Sequence, residues 1–239
     1  MHTMNETQTQ TQMDWMKALE HEARTLVEEL NAHPIARRLI DGSIDADSYA
    51  HYLVQTYHYV RWTTPLLAEA SRRMKRMGSH PQLAELLLQK STEERGHERW
   101  LLADLKNLGW PAGRVERAQL SPAVIAYVAW NRYTTRSGVP AAFLGTAYVL
   151  EYLSVQYASG SVERLLAANT IPNIRKAVTF LRGHGDADGN HVAELASVLR
   201  SLTDPREQSA LLLSARNTRV LYTGLFTRDE AAEEPAHTS

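Results

Sequence analysis

The sequence predicts an all-α fold, a single domain of about seven helices, on three observations. Apolar residues recur at three- and four-residue intervals along most of the chain, for example at Leu19, Ala23, Leu26 and Leu30. Strict alternation of apolar and polar residues is rare, and no Asn-Gly or Asp-Gly pair joins two alternating segments. The 239 residues are 44% hydrophobic, which suffices for one large core and is small for two domains.

The predicted helices follow one another with short connections. Their ranges are 14–32, a short turn at 35–39, 45–77, 81–108, 122–138, 139–158, 172–202 and 205–226. Asp45 or Asp47 is placed to cap the long second helix. Pro65 should kink or break that helix, because proline cannot donate the backbone hydrogen bond. Ser121 and Pro122 open the helix at 122–138 in the N-cap and first-residue arrangement.

The two ends differ from the rest of the chain. Residues 1–13 are a Gln- and Thr-rich tract, and residues 229–239 are similarly polar. Neither end has a periodic apolar face, so we expect both tails to be disordered. The helical domain is therefore predicted to span residues 14–228, without a linker that divides it.

Composition excludes several classes of function. The net charge is -1, from 26 basic and 27 acidic residues, so no basic excess points to nucleic acid. The absence of cysteine excludes disulfides, thiolate zinc sites, iron–sulfur clusters and a cysteine nucleophile. It also fits a reducing cytoplasm, and the polar N-terminus has no apolar signal-peptide core. No run of about 18 apolar residues predicts a membrane span.

Six potential metal ligands stand on three separated stretches of the chain. They are Glu94 and His97 in STEERGHERW, Glu151 in AYVLEYLSV, and His184, Asp188 and His191 in RGHGDADGNHVAEL. Carboxylates and imidazoles in two such sets are the ligands that a pair of iron or manganese ions needs. If the six side chains meet in the folded protein, the sequence indicates a metal-dependent oxidase.

Glu151 is the most anomalous of the six. It is the only charged side chain between Val139 and Val162, in a segment of Ala, Leu, Val and Tyr. A carboxylate in an apolar interior must be neutralised, pair with a base or bind a cation. The alternative to a metal ligand is a glutamate that faces a groove or pairs with an arginine of a neighbouring helix.

His184, Asp188 and His191 are spaced i, i+4 and i+7, which places them on one helix face. The alternative is a polar helix end rich in titratable groups. Three glycines weaken this helix by about 1 kcal/mol each relative to alanine, and a bound metal would clamp it. They are Gly183, Gly185 and Gly189.

Glu94 and His97 form a Glu-x-x-His step, which is also predicted to lie on one helix face. The same step recurs at Glu234 and His237 in the polar tail, so it arises by chance. Glu93 competes with Glu94 as the ligand, because it stands four residues before His97. A ferritin-like diiron protein needs two such steps, and the folded part of this chain has one.

Together, the order and spacing of these residues resemble those of the haem-oxygenase-like diiron oxidases, a helical superfamily related in fold to haem oxygenase and TenA/PqqC-type proteins. The His-x3-Asp-x2-His element and the lone Glu151 match the family pattern. The Glu94-x2-His97 step is similar to that of the fatty-acid decarboxylase that forms 1-alkenes. Other members place this glutamate seven residues before the histidine, where this chain has Lys90.

The resemblance implies a compact seven-helix protein, often a homodimer, that binds two Fe(II) ions and activates O₂. A manganese–iron pair is the alternative metal content. Glu94, His97 and His191 would surround one ion, and Glu151, His184 and Asp188 the other. The implied reaction oxidises a small carboxylate- or amine-bearing substrate, by decarboxylation, desaturation, cleavage or N-oxygenation, with an external electron donor. Tyr57, Trp62, Phe143 and Tyr148 are the candidate residues of the substrate pocket.

Two other hypotheses keep the helical fold. One is a haem-degrading oxygenase with His21 as the haem ligand, which gives Glu151 and the His-Asp-His element no role. The other is a non-catalytic helical dimer, in which the same groups are only polar core or surface.

Overall fold

The computed structural model describes residues 2–185 and 190–228, and within these ranges it is helical and contains no strand. The α-helices are α1 His2–Ala32, α2 Pro34–Asp41, α3 Ala46–Met77, α4 Pro81–Glu93, α5 His97–Asn107, α6 Ala112–Glu116, α7 Pro122–Arg136, α8 Phe143–Ala168, α9 Thr179–Gly185, α10 Asn190–Leu199 and α11 Pro205–Tyr222. Short 3₁₀ turns lie at Pro140–Ala142, Ile174–Lys176 and Thr223–Leu225. The all-α prediction is confirmed for this part of the chain.

Two predicted caps are found in the structure. The side chain of Asp45 accepts a hydrogen bond from the Ser48 backbone N–H at 2.8 Å, so Asp45 rather than Asp47 caps α3. Ser121 likewise accepts from the Val124 N–H at 3.2 Å, with Pro122 as the first residue of α7.

The helix boundaries differ from the predicted ones at several places. The predicted helices at 81–108 and 172–202 are each divided, so the described part of the chain has more helical segments than the predicted seven. α1 begins at His2 instead of residue 14, and α8 continues to Ala168 instead of residue 158. The division after α4 is caused by Gly96, whose φ of 97° is left-handed and cannot continue a helix.

Of the kink or break expected at Pro65, the break was wrong, because α3 runs unbroken through this residue. Pro65 lies on the exposed side of α3, as does Arg61, the residue whose carbonyl loses its donor. The residues on both sides are held by burial, since Val60 and Leu66 each keep less than a tenth of their surface exposed. Packing of the two halves of α3 therefore outweighs the loss of one backbone hydrogen bond.

α3 and α8 position the two halves of the core. α3 contacts α4, α5 and α7, whereas α8 contacts α1, α9 and α11. Arg219 of α11 also pairs with Glu22 and Glu29 of α1, which joins the two ends of the domain. A cavity lies between the two groups of helices and is lined by both. No helix in the described ranges combines the length and the apolar character that crossing a bilayer requires.

Candidate metal centre

Glu94 and His97 come together through the turn between α4 and α5. Glu94 follows the last residue of α4, and His97 is the first residue of α5. The left-handed Gly96 interrupts the helix between them, and Glu94 Oε2 lies 2.9 Å from His97 Nδ1. The prediction that the pair shares one helix face was wrong, since a turn and not a helix brings the two side chains together.

His184 reaches the same point from α9. Its Nδ1 lies 2.9 Å from the Phe180 carbonyl oxygen, which can only accept, so Nδ1 is the donor. This bond fixes the tautomer and leaves Nε2 with its lone pair free, the arrangement found in metal-binding histidines. Contacts with the Phe180 ring, 4.3 Å between centroids, also limit rotation of the imidazole.

Glu94, His97 and His184 form one group of potential metal ligands. One ligand atom from each lies within 4.8 Å of the other two. An ion about 2.1 Å from each ligand separates them by about 3–4 Å, so a small contraction closes the group around a metal. His97 Nδ1 is buried without a well-oriented hydrogen bond, although Glu94 Oε2 is close. An unsatisfied buried nitrogen beside a carboxylate fits a cation as its missing partner.

The electrostatics of the group suit a cation. Burial by itself would raise the pKa of Glu94, but the nearby His97, His184 and Lys90 outweigh it and hold that pKa below its usual value. Burial lowers the pKa of His184, against the opposing effect of Glu94. Near neutral pH the group therefore offers an ionised carboxylate and a neutral imidazole, the forms that bind metal.

Aromatic packing holds the two imidazoles in place. The Trp100 indole stacks on His97, with 4.1 Å between ring centroids and 21° between planes. Gly183 packs directly against that indole, because a Cβ at this position would lie 2.5 Å from Trp100 Cζ3. Gly185 approaches α8 equally closely, and its carbonyl accepts from the Ser159 hydroxyl at 2.8 Å. These glycines therefore allow α9 to approach α5 and α8.

Asp104 is a site residue that the sequence analysis missed. It is fully buried on α5, and its carboxylate accepts from the Thr179 and Phe180 N–H groups at 3.0 and 2.9 Å. It thereby caps α9 and links the helix of His97 to the helix of His184. Burial raises the pKa of Asp104, although these donors oppose the shift. A lone acid among the apolar residues of RWLLADL is the signal that was overlooked.

Glu151 lies in the cavity wall on α8 but outside the group of three. Its Oε1 is 3.6 Å from Lys90 Nζ, and the same ammonium lies 3.3 Å from Glu93 Oε2. The anticipated base partner of Glu151 is thus a lysine of α4 instead of an arginine. Asp188 and the side chain of His191 lie outside the described residues, and their assignment as ligands stays a prediction.

The cavity beside these residues has a volume of about 410 Å³ and is mostly apolar. The ligand group, Lys90 and Glu151 share its wall with Leu and Phe side chains and with four buried tyrosines, Tyr52, Tyr59, Tyr127 and Tyr222. Phe143 lines it as guessed from the sequence, whereas Tyr57, Trp62 and Tyr148 are not among its lining residues. His21 is exposed on α1 and does not line the cavity either.

One family model matches most of this chain. The model of a family described as iron-containing redox enzymes matches residues 50–222, from the second turn of α3 to the end of α11. Among curated proteins, no relative matches the chain.

Solved structures share the fold at low sequence identity. A domain of unknown function with a haem oxygenase-like fold from Shewanella denitrificans is 22% identical, with a TM-score of 0.72 over 87% of this chain and 88% of that one. A TenA homologue from Pseudomonas syringae pv. tomato is 16% identical, with a TM-score of 0.72 over 89% and 90%. A CADD-like protein of unknown function from Nostoc punctiforme is 18% identical, with a TM-score of 0.65 over 90% and 96%. At these identities the likeness shows the fold alone, which is haem-oxygenase-like.

Proposed function

The chain belongs to the family of iron-containing redox enzymes, and from this premise we propose that it is an O₂-dependent oxidase with a non-haem diiron site. The observation that carries the proposal is the convergence of Glu94, His97 and His184 at the wall of an apolar cavity. One carboxylate and two imidazoles are ligands that suit Fe(II), and three protein ligands leave positions open for O₂ and substrate.

The chain's own residues would prepare this site for oxidation chemistry. Bound iron would supply electrons to O₂ and so generate the oxidant. The Phe180 carbonyl keeps His184 in the tautomer whose Nε2 is a lone-pair donor. Stacking of Trp100 fixes the plane of His97. The apolar wall excludes water from the substrate, which limits side reactions of the oxidant.

The second ion would be held by Glu151 with Asp188 and His191. The described group brings His184 to Glu94 and His97, whereas the resemblance implied His191 at the first ion and His184 at the second. Glu151 stands in the wall on α8, and Asp188 and His191 follow α9 in the sequence. With the three described ligands they make up six, three for each ion. We propose a small substrate with a carboxylate or amine head and an aliphatic portion, since the cavity is mostly apolar and about 410 Å³ in volume.

Anaerobic loading with Fe(II) tests this function. We expect the purified protein to bind about two iron ions, and the loaded protein to consume O₂ faster when a substrate acid or amine is added. His184→Ala should lose bound iron, because it removes a ligand from the described group. His21→Ala is the control, since His21 is exposed and outside the cavity lining. Wild-type iron content in His184→Ala would refute the proposed site.

A further inference from the structure

A lysine stands in the wall of the acidic part of the cavity. Among the described residues that line the cavity, Lys90 is the only Lys or Arg. Its side chain keeps 18% of its surface exposed, and Glu151 keeps 20%. Lys90 lies four residues before Glu94 in sequence, so α4 directs it toward the same region as the ligand group. A part-buried cation therefore lies beside a site that suits metal cations.

Lys90 contacts the acid that the first ligand group leaves out. Its Nζ is 3.6 Å from Glu151 Oε1 and 3.3 Å from Glu93 Oε2. Glu151 is the sole charged residue of its stretch of α8, and this contact supplies the positive charge that a part-buried carboxylate requires. The group of Glu94, His97 and His184 is complete without either residue.

A metal ion and Lys90 would compete for the same carboxylate. An ion bound about 2 Å from Glu151 Oε1 would lie within about 6 Å of the ammonium, at which distance two cations repel strongly in a poorly hydrated site. The four-carbon stem of lysine is flexible, and Glu93 offers Lys90 another acceptor nearer the surface, with 42% of its side chain exposed. Lys90 can thus leave Glu151 without losing every partner.

We propose that Lys90 is a counter-cation for Glu151. It stays paired with this carboxylate until a second divalent ion displaces it, so that the two ions bind in a fixed order. The first ion binds at Glu94, His97 and His184. The second binds only when Lys90 withdraws from Glu151, which weakens its affinity relative to the first. Lys90 is a positioning residue in this account, and the proposal rests on the metal-binding function proposed above.

Mn(II) binding by electron paramagnetic resonance tests the order of filling, because the signal of the free ion counts what remains unbound. We expect the wild type to bind one ion tightly and a second at least tenfold more weakly. Lys90→Met should strengthen binding of the second ion about tenfold, equal to about 1.4 kcal/mol, and change binding of the first ion less, since the ammonium contacts Glu151 and Glu93 and acts on Glu94 only through its charge. Lys90→Arg keeps the charge and should behave as the wild type.

Two further variants separate this role from a general effect on the fold. Lys75→Met is the matched control, because Lys75 also pairs with a glutamate, Glu85 at 3.0 Å, but on the exposed surface. Glu151→Gln should leave the first ion bound as in the wild type. The double variant Lys90→Met/Glu151→Gln should gain nothing, since Lys90 acts through Glu151. If Lys90→Met does not fold, the Glu151→Gln measurement decides, and loss of the first ion would overturn the order of filling.

The outcomes distinguish this inference from the proposed function. Two ions of equal affinity in the wild type, or no gain in Lys90→Met, would overturn the role of Lys90 and leave the metal site standing. Failure of the wild type and every variant to bind an ion would overturn both.

Discussion

Glu93 and Glu94 are neighbours in the sequence but have different partners in the structure. Glu94 Oε2 lies 2.9 Å from His97 Nδ1, whereas Glu93 accepts from Gln89 Nε2 at 2.9 Å and pairs with Lys90. The two carboxylates were alternatives at the sequence level, because each precedes His97 by about one helical turn. The turn at Gly96 removes that equivalence, since it redirects the chain immediately after Glu94.

Glu94→Gln should therefore weaken binding of the first metal ion more than Glu93→Gln. We expect at least about a 10- to 100-fold loss for Glu94→Gln, because changing even a group that is hydrogen-bonded to a metal ligand typically costs that much, and less than about threefold for Glu93→Gln. Competition with a chelating dye measures both variants side by side. Equal losses, or a larger loss for Glu93→Gln, would contradict the assignment of Glu94.

Gly183 affects the metal site because it packs against the Trp100 indole, which stacks on His97. A methyl group on Gly183 would lie 2.5 Å from Trp100 Cζ3, closer than two carbon atoms can approach. Gly183→Ala should lower the free energy of unfolding by about 1–3 kcal/mol and weaken metal binding, since Trp100 must move. Gly113→Ala on α6 is the control, because the nearest atom there is the flexible end of Arg117 at 3.4 Å. Urea denaturation of the metal-free protein measures both, and similar stabilities would contradict the packing argument.

At the scale of helices, the site depends on how α9 is attached to α5. Asp104 joins them through two backbone N–H groups at the start of α9, and Tyr49 of α3 donates to the Ala177 carbonyl at 2.7 Å just before it. α9 has seven residues, too few to be stable in isolation. Tertiary contacts therefore hold this helix, and the orientation of His184 depends on them.

Asp104→Asn should destabilise the protein and weaken metal binding together. The amide has one acceptor oxygen where the carboxylate has two, so one buried N–H group loses its partner at a cost of about 1–3 kcal/mol. Asp204→Asn is the control, because Asp204 is an exposed N-cap of α11 and asparagine caps a helix about as well. Chemical denaturation gives the stabilities, and an Asp104→Asn variant as stable as Asp204→Asn would exclude this role for Asp104.

For the whole molecule, the histidines determine how stability changes with pH. Burial lowers the pKa of four of them below the ordinary value: His33, His51, His58 and His184. Below about pH 6.5, the unfolded chain then binds more protons than the folded protein, and stability falls as the pH falls. Glu94 extends the loss to lower pH, because its pKa is also lowered, whereas the raised pKa of Asp104 acts in the opposite direction.

We therefore expect the metal-free protein to be most stable near or above neutral pH and to lose stability steadily from about pH 6.5 downward. Urea denaturation in the presence of a chelator, at intervals from pH 5 to 8, measures this. His184→Ala should show a shallower decline than the wild type, because one of the four groups is removed. A stability that stays constant or rises toward pH 5 would contradict the expectation.

The sequence by itself determined that the described chain is helical, where several helices begin, and which residue types could bind metal. These features depend on residues a few positions apart: the apolar spacing, the Asp45 and Ser121 caps, and the family pattern of Glu and His. The interruption of the helix at Gly96 was not predicted, because a glycine inside a helical pattern is compatible both with a helix that continues and with one that ends there.

Tertiary structure alone decided which of the candidate ligands meet. Glu94 and His184 are far apart in the chain, and only the packing of α9 against α5 brings His184 to the turn that holds Glu94. The same packing sets Gly183 against Trp100, and a separate contact between α4 and α8 places Lys90 beside Glu151. Such contacts depend on the relative positions of whole helices, which the local spacing of residues does not specify. The sequence indicates which residue types can bind a metal, but the packing of the helices determines which of these residues lie together.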